Sequence, residues 1–218
     1  GANTGGRGAI HTRYNRIADL NQVIDPSRTN IIDTYVLLRS YDTEFRTWAA
    51  YDGRSFTQPA APTVNGLSKL FTSLSTKKTI SDQIIYRPVK YKILFGDLAS
   101  SELQANFKIT KTVNSTLSDT EIKQTVVQLI NEYFSIDNWD FGETFYFTEL
   151  ASYVHNNLIG QISQINIVPI DNRFGSTLYE INSQSDELFL PVLTSANVIV
   201  ESSNNANLTT ITSNSGVN

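Results

Sequence analysis

Residues 104–134 read QANFKITKTVNSTLSDTEIKQTVVQLINEYF, which is a strand pattern followed directly by a helix pattern. In the strand pattern, every second residue lies on one side: Ala105, Phe107, Ile109, Lys111 and Val113. This period of two predicts a strand with one buried face, and Lys111 is the only polar residue on that side. Ser118 and Glu121 then form the S-x-x-E capping box that opens a helix. Apolar residues from Ile122 to Phe134 recur at helical spacing, which predicts an amphipathic helix.

Strand and helix patterns continue on both sides of this segment. The further predicted elements are, in chain order, a strand at 31–38, helices at 41–51 and 63–74, a strand at 89–95, a short strand at 145–147, a helix ending at Gly160, and strands at 162–170, 188–193 and 197–200. Thr63 is a candidate cap for the second of these helices. Pro191 confines its strand to a sheet edge or a bulge, because proline donates no backbone hydrogen bond.

The helices each carry a single apolar stripe, and such helices bury their stripes against one face of a sheet. We therefore expect an α+β fold of two lobes that meet near Tyr86, each lobe with amphipathic helices packed on a mainly antiparallel or mixed sheet. The expected organisation is a flexible or extended start at 1–20, a first lobe at 21–86, a second lobe at 87–201 with a β-α-β-α-β core and closing strands, and an Asn/Ser/Thr-rich tail at 202–218.

Charge and composition exclude several classes of protein. Charged residues make up 17% of the chain, and the formal net charge is −4. Nucleic-acid-binding proteins usually carry a basic stripe, so the scattered Lys and Arg residues predict no nucleic-acid partner. No apolar run reaches the roughly 18 residues that cross a bilayer, and we expect no membrane partner. The chain has no cysteine, which excludes disulfides and thiolate chemistry. It also lacks methionine, and we expect it to be a piece of a longer protein.

The best candidate for chemistry is a group of carboxylates around Trp139, namely Asp137, Asp140, Glu143 and Glu149. A glycoside hydrolase places two carboxylates in a cleft. A carbohydrate-binding or receptor-binding module could instead hold a sugar with Trp139 and its polar neighbours. The structural alternative is that Asp137 belongs to a turn, that Glu149 opens a helix whose dipole favours an anion, and that Trp139 packs in the core.

The two histidines, His11 and His155, have no neighbour at metal-binding spacing. A catalytic base or a zinc ligand needs converging partners. We therefore expect no metal, no cofactor and no enzymatic activity.

Several segments of the chain resemble a known family. In the second half they are the helix at 118–134, DNWDFGE at 137–143, TFYFTEL at 144–150, INIVP at 165–169 and SDELFL at 185–190. Upstream they are NQVID at 21–25, NIIDTYVL at 30–37 and YKILFG at 91–96. Together they are similar to the carboxy-terminal region of the baseplate wedge subunit of T4-like contractile-tailed bacteriophages, in the baseplate J-like family. The resemblance covers most of residues 20–200.

The resemblance implies a structural, non-enzymatic role, because proteins of this family form the inner ring of the tail baseplate. The implied partners are a second copy of the chain, in a dimer or ring, and other baseplate wedge subunits. The implied location is the virion tail baseplate, after assembly in the host cytoplasm. Interface cores are rich in aromatic residues, and the predicted interface residues are Tyr41, Phe45, Trp48 and Trp139. The alternative is that the first three line the core of the first lobe.

Overall fold

The computed structural model describes residues 10–13, 31–51, 57–72, 83–175 and 179–202. Its helices are α1 (Arg39–Ala50), α2 (Val64–Leu70), α3 (Asp119–Tyr133) and α4 (Phe147–Asn157). Its strands are β1 (Ile10–Arg13), β2 (Ile31–Val36), β3 (Gln83–Pro88), β4 (Lys90–Phe95), β5 (Ala105–Lys111), β6 (Thr144–Tyr146), β7 (Ile162–Pro169), β8 (Glu180–Asn182), β9 (Glu187–Val192) and β10 (Val198–Ser202). The fold is α+β, as predicted. None of the helices in these ranges is long and apolar enough to cross a membrane.

The strands form four small sheets. In the first, β2 pairs antiparallel with β1 and parallel with β3. In the second, β5 is central, antiparallel to β7 and parallel to β10. A parallel pair, β4 with β9, and an antiparallel pair, β6 with β8, complete the set. Parallel pairing needs a long crossover connection, and α3 and α4 lie within the connections from β4 to β9 and from β5 to β10.

The predicted capping box opens α3. The Ser118 side chain accepts a hydrogen bond from the Glu121 N–H, and the Glu121 carboxylate accepts one from the Ser118 N–H at 2.7 Å. The cap of α2 is also confirmed, since the Thr63 hydroxyl accepts from the Gly66 N–H at 3.1 Å. Both helices therefore begin directly after a capping side chain, which accepts a hydrogen bond from a first-turn N–H group that has no partner within the helix.

The end of β5 departs from the predicted alternation. The pairing of β5 with β7 shifts register between Thr110 and Lys111, and the strand ends there. The ammonium of Lys111 lies 3.2 Å from the Asp119 carboxylate at the start of α3. The expectation that Val113 shares the buried face is wrong, because the strand has already ended and 71% of Val113 is exposed.

One large hydrophobic cluster joins α3 and α4 to the strands that follow Tyr86, and it also takes in Tyr41, Phe45 and Ala49 of α1. A smaller cluster joins Val36, Leu67 and Tyr86, where α2 packs on the first sheet. The two clusters do not coincide with the two predicted lobes, because α1 packs with the later elements. The predicted boundary also falls inside β3, a strand that was not anticipated. The division into domains stays a prediction.

The parallel pair of β4 and β9 lies in the large cluster. Pro191 pairs with Leu94, and in a two-stranded sheet each strand is an edge, as the proline predicted. Gly96 follows β4 where two backbone segments meet. A Cβ atom at this position would lie 1.6 Å from the carbonyl oxygen of Val192, so the close approach requires glycine.

Candidate functional site

Tyr41, Phe45 and Trp48 occupy one face of α1, at the spacing that the sequence predicted. Tyr41 and Phe45 are buried, and their ring centroids lie 6.1 and 4.6 Å from that of Tyr91 in β4. Trp48 is half-buried and meets Phe45 edge-on at 5.2 Å. Core packing, the alternative interpretation, therefore describes Tyr41 and Phe45. Contact of these three side chains with another molecule stays a prediction.

Polar contacts add to this attachment of α1. Oδ1 of Asp42 accepts a hydrogen bond from Arg46 Nε at 2.7 Å and a short one from the Tyr91 hydroxyl. The Arg46 guanidinium carbon lies 5.9 Å from the centroid of the Tyr91 ring, which places the positive charge over the π-electrons of the ring. One nitrogen of this guanidinium, Nη2, is buried and has no hydrogen-bond partner among the described residues. Burial, together with the bond to Asp42, raises the pKa of Tyr91. The contacts anchor α1 to β4, which explains why α1 belongs to the large cluster.

Trp139 follows the end of α3. Its indole Nε1 donates to the Tyr133 carbonyl at 2.8 Å, and Nδ2 of Asn138 donates to the Glu132 carbonyl at 3.0 Å. Carbonyls in the last turn of a helix lack the usual helical partner, so the two side chains satisfy the end of α3. The indole ring stacks on Phe134 at 5.1 Å, and Trp139 is only 8% exposed. Trp139 is therefore a core aromatic, and its predicted interface role stays a prediction.

An open cleft of about 600 Å³ lies beside Trp139, between the end of α3 and the start of α4. We refer to it as the Trp139 cleft, and its lining residues are Tyr133, Asn138, Trp139, Glu143, Thr144, Tyr146, Glu149 and Tyr153. The cleft brings together two of the four carboxylates that the sequence singled out, whereas Asp137 and Asp140 do not line it. Its most exposed ring is Tyr146, at 39%.

Hydrogen bonds of different lengths reach the two carboxylates of the cleft. Oε2 of Glu143 accepts the Asp140 N–H at 3.0 Å, which closes the turn after Trp139. Oε2 of Glu149 accepts from the Tyr133 hydroxyl at 3.5 Å. Burial, with the charge of Glu149 nearby, raises the pKa of Tyr133 to about 12 from its ordinary value near 10. The cleft therefore presents positioned acceptors beside aromatic rings.

The tyrosines of the cleft were not predicted as site residues, although one signal was present in the sequence. Glu149 and Tyr153 are four residues apart, which puts them on the same face of α4. Tyr133 reaches the cleft from the last turn of α3, and no local pattern relates α3 to α4. The position of Tyr133 relative to α4 depends on how α3 and α4 pack on the strands of the second sheet.

The histidines do not join this site. His155 lies in the last turn of α4 and does not line the cleft. The side chain of His11 lies outside the described part of the chain. Among the residues that the structure describes, no three His, Cys, Asp or Glu side chains come together in an arrangement that could hold a metal ion.

The second sheet offers a different kind of surface. The strand registers place eight residues on the side opposite the core, and we refer to them as the outer face: Asn106, Lys108, Thr110, Gln164, Asn166, Val168, Ile199 and Glu201. All are exposed or half-exposed. Their only charges are Lys108 and Glu201, which pair at 2.9 Å. The outer face is therefore accessible to solvent and carries no net charge.

No family model and no curated protein matches this chain.

Proposed function

We propose that this chain is a structural component of a contractile phage tail baseplate wedge. It acts by self-association and by contacts with other wedge proteins, and these contacts build the baseplate ring in the virion. The observation that carries the proposal in the structure is the outer face of the second sheet. The resemblance of the sequence to the wedge subunit supplies the biological setting.

The outer face carries no net charge. Its two charged residues, Lys108 and Glu201, pair with each other at 2.9 Å. Val168 and Ile199 are 40% and 42% exposed, and the neighbouring residues carry mostly amide or hydroxyl groups. Such groups cost less to remove from water than charges do. A neighbouring chain can therefore cover this surface without a large desolvation penalty.

The arrangement of elements supports the same proposal. Among the segments that carry the resemblance, those between residues 118 and 169 form α3, the turn after Trp139, β6, the start of α4 and part of β7, in that order. They pack as one unit, because Phe134, Phe145 and Trp139 are in mutual ring contact. A rigid unit loses little conformational freedom when it binds, which favours association.

The alternatives of a carbohydrate-binding module and a glycan hydrolase receive less support from the Trp139 cleft. A sugar that stacks on an aromatic residue needs an open ring face. The Trp139 ring is stacked on Phe134 and almost fully buried, so it offers no platform. A glycan hydrolase would release sugar from a glycan substrate. Sugar release by the purified chain that is abolished by Glu143→Gln or Glu149→Gln would overturn the proposal of a structural role.

Light scattering on the purified chain tests the proposal. We expect a dimer or larger species. Val168→Lys should raise the dissociation constant of this self-association at least about tenfold, since a buried uncompensated charge is costly at an interface. Val113→Lys is the matched control, because it introduces the same charge at another exposed valine, outside the outer face. A strict monomer at about 1 mM, where even weak association is detected, would contradict self-association. Equal effects of the two variants would contradict the assignment of the outer face.

Trp48→Glu tests the predicted contact on α1. Trp48 is half-buried, so the variant separates two roles. Loss of self-association with cooperative unfolding retained would support an interface role. Loss of folding would assign Trp48 to the core, as burial already does for Phe45.

A further inference from the structure

The Trp139 cleft combines aromatic rings with negative charge. Of its eight lining residues, four carry aromatic rings, two carry carboxylates and none carries a positive charge. We propose that the cleft binds the guanidinium of an arginine side chain presented by a partner protein. This inference rests on the proposed function, in which the chain works through protein contacts, and it names the chemistry of one such contact.

Glu149 supplies the main electrostatic attraction. It is exposed, and among the described residues it makes no ion pair; its only hydrogen bond is the long one from Tyr133, at 3.5 Å. A carboxylate offers about four acceptor positions, so Glu149 retains capacity for a bidentate pair with a guanidinium. Glu143 adds a second negative charge, at a position fixed by its bond to the Asp140 N–H.

The rings supply the second half of the recognition. Tyr133 and Tyr153 lie 5.4 Å apart in a tilted pair, and Tyr146 stands exposed at the rim. A guanidinium above a ring face is attracted by the electrons of the ring, and Arg does this more often than Lys. The planar guanidinium can stack on a ring while its edge pairs with a carboxylate, which an ammonium cannot do.

The size of the cleft fits a side chain with its flanking backbone. Its volume of about 600 Å³ lies within the range of small-molecule pockets, roughly 300–1,000 Å³. A neutral sugar would form no ion pair with Glu149, whereas a guanidinium would. The charge and the planar rings together therefore favour arginine.

The indole resonance of Trp139 is a direct reporter for the test. The chain has two tryptophans, and Trp48→Phe leaves one indole N–H signal in a ¹⁵N–¹H spectrum. The probe is N-acetyl-L-arginine methylamide, and the control is the uncharged citrulline analogue. We expect saturable shifts with the arginine probe, with binding in the millimolar range. Citrulline should bind at least about tenfold more weakly, because charge-assisted hydrogen bonds are about twice as strong as neutral ones.

Substitutions localise the effect. Glu149→Gln should weaken binding of the arginine probe about tenfold, and Glu44→Gln, an exposed glutamate on α1 that does not line the cleft, should leave it unchanged. Equal shifts with citrulline, equal effects of the two variants, or no saturation at about 100 mM would overturn the inference. Saturation by a chitin or glucan oligosaccharide without response to arginine would also overturn it.

Light scattering on the unsubstituted chain, set beside the titration of the Trp48→Phe protein, separates the two proposals, because Trp48 is itself a predicted interface residue. Self-association without arginine binding would refute only the arginine site. A strict monomer that still binds the arginine probe would refute self-association and leave the arginine site standing. A strict monomer without arginine binding would refute both.

Discussion

Trp139→Phe is the substitution that most directly tests how the end of α3 is built. The indole Nε1 donates to the Tyr133 carbonyl at 2.8 Å, and phenylalanine has no donor. The lost hydrogen bond costs about 1 kcal/mol, and the smaller ring leaves a cavity that costs roughly 1 kcal/mol more. The stack on Phe134, with centroids 5.1 Å apart, can persist with the smaller ring. We therefore expect the free energy of unfolding to fall by about 2 kcal/mol.

The assay is urea unfolding followed by far-UV circular dichroism, which does not depend on the tryptophan signal. With a slope of about 2 kcal/mol per molar urea, the midpoint should fall by about 1 M. Trp48→Phe is the matched control, and it should shift the midpoint less, because Trp48 is half-buried. Trp139→Ala, which removes the whole ring, should cost about 3–5 kcal/mol.

A midpoint for Trp139→Phe at or above that of Trp48→Phe would refute this account of Trp139. It would mean that the Tyr133 carbonyl finds another donor at no cost and that the ring contacts do not depend on the indole. A change in the urea slope would instead indicate a change in the compactness of the unfolded or the native state, or a loss of two-state behaviour, and fitting the slope freely detects it.

Three further outcomes follow from the structure. Ser118→Ala should lower the free energy of unfolding by about 1 kcal/mol, measured by urea unfolding, because the cap of α3 is lost; Ser118→Asp should restore most of it. Gly96→Ala should prevent cooperative thermal unfolding or lower its midpoint strongly, since the added Cβ would lie 1.6 Å from the Val192 carbonyl oxygen. The folded-state pKa of Tyr133 is raised to about 12 from about 10, so the unfolded state loses this proton first and stability should fall as the pH rises from 10 to 12. Tyr133→Phe should reduce that decline in urea midpoints.

Local elements were predictable where the residues themselves carry the signal. The alternation through Phe107 and Ile109 predicted β5, and the capping box at Ser118 predicted the start of α3. Pro191 predicted an edge strand, and β9 is one. In each case the signal lies within a few residues of the chain, because capping, alternation and proline geometry are local properties.

Pairing between distant segments was not predictable in the same way. The partner of β4 is β9, with Tyr91 opposite Leu188, and nothing in either strand specifies the other. The packing of α1 on β4 depends on Tyr91 as well, because its ring stacks on Phe45 and its hydroxyl binds Asp42. The sequence shows the apolar face of α1 but not the surface that covers it. The two lobes were expected to meet near Tyr86, and α1 packs on β4, which lies beyond that point in the chain.

The same limit explains why the candidate site was seen only in part. The sequence placed Glu143 and Glu149 near Trp139 and suggested sugar chemistry, in which the tryptophan ring does the binding. In the structure that ring is buried against Phe134, and exposed tyrosine takes its place at the cleft. An anionic cleft rimmed by tyrosine and a nearly neutral sheet face suit two different contacts. We propose that the first selects a partner by charge and that the second contributes area at low desolvation cost. The proposed place in a ring requires both properties, because a ring subunit must bind its neighbours in one register and leave little charge buried between them.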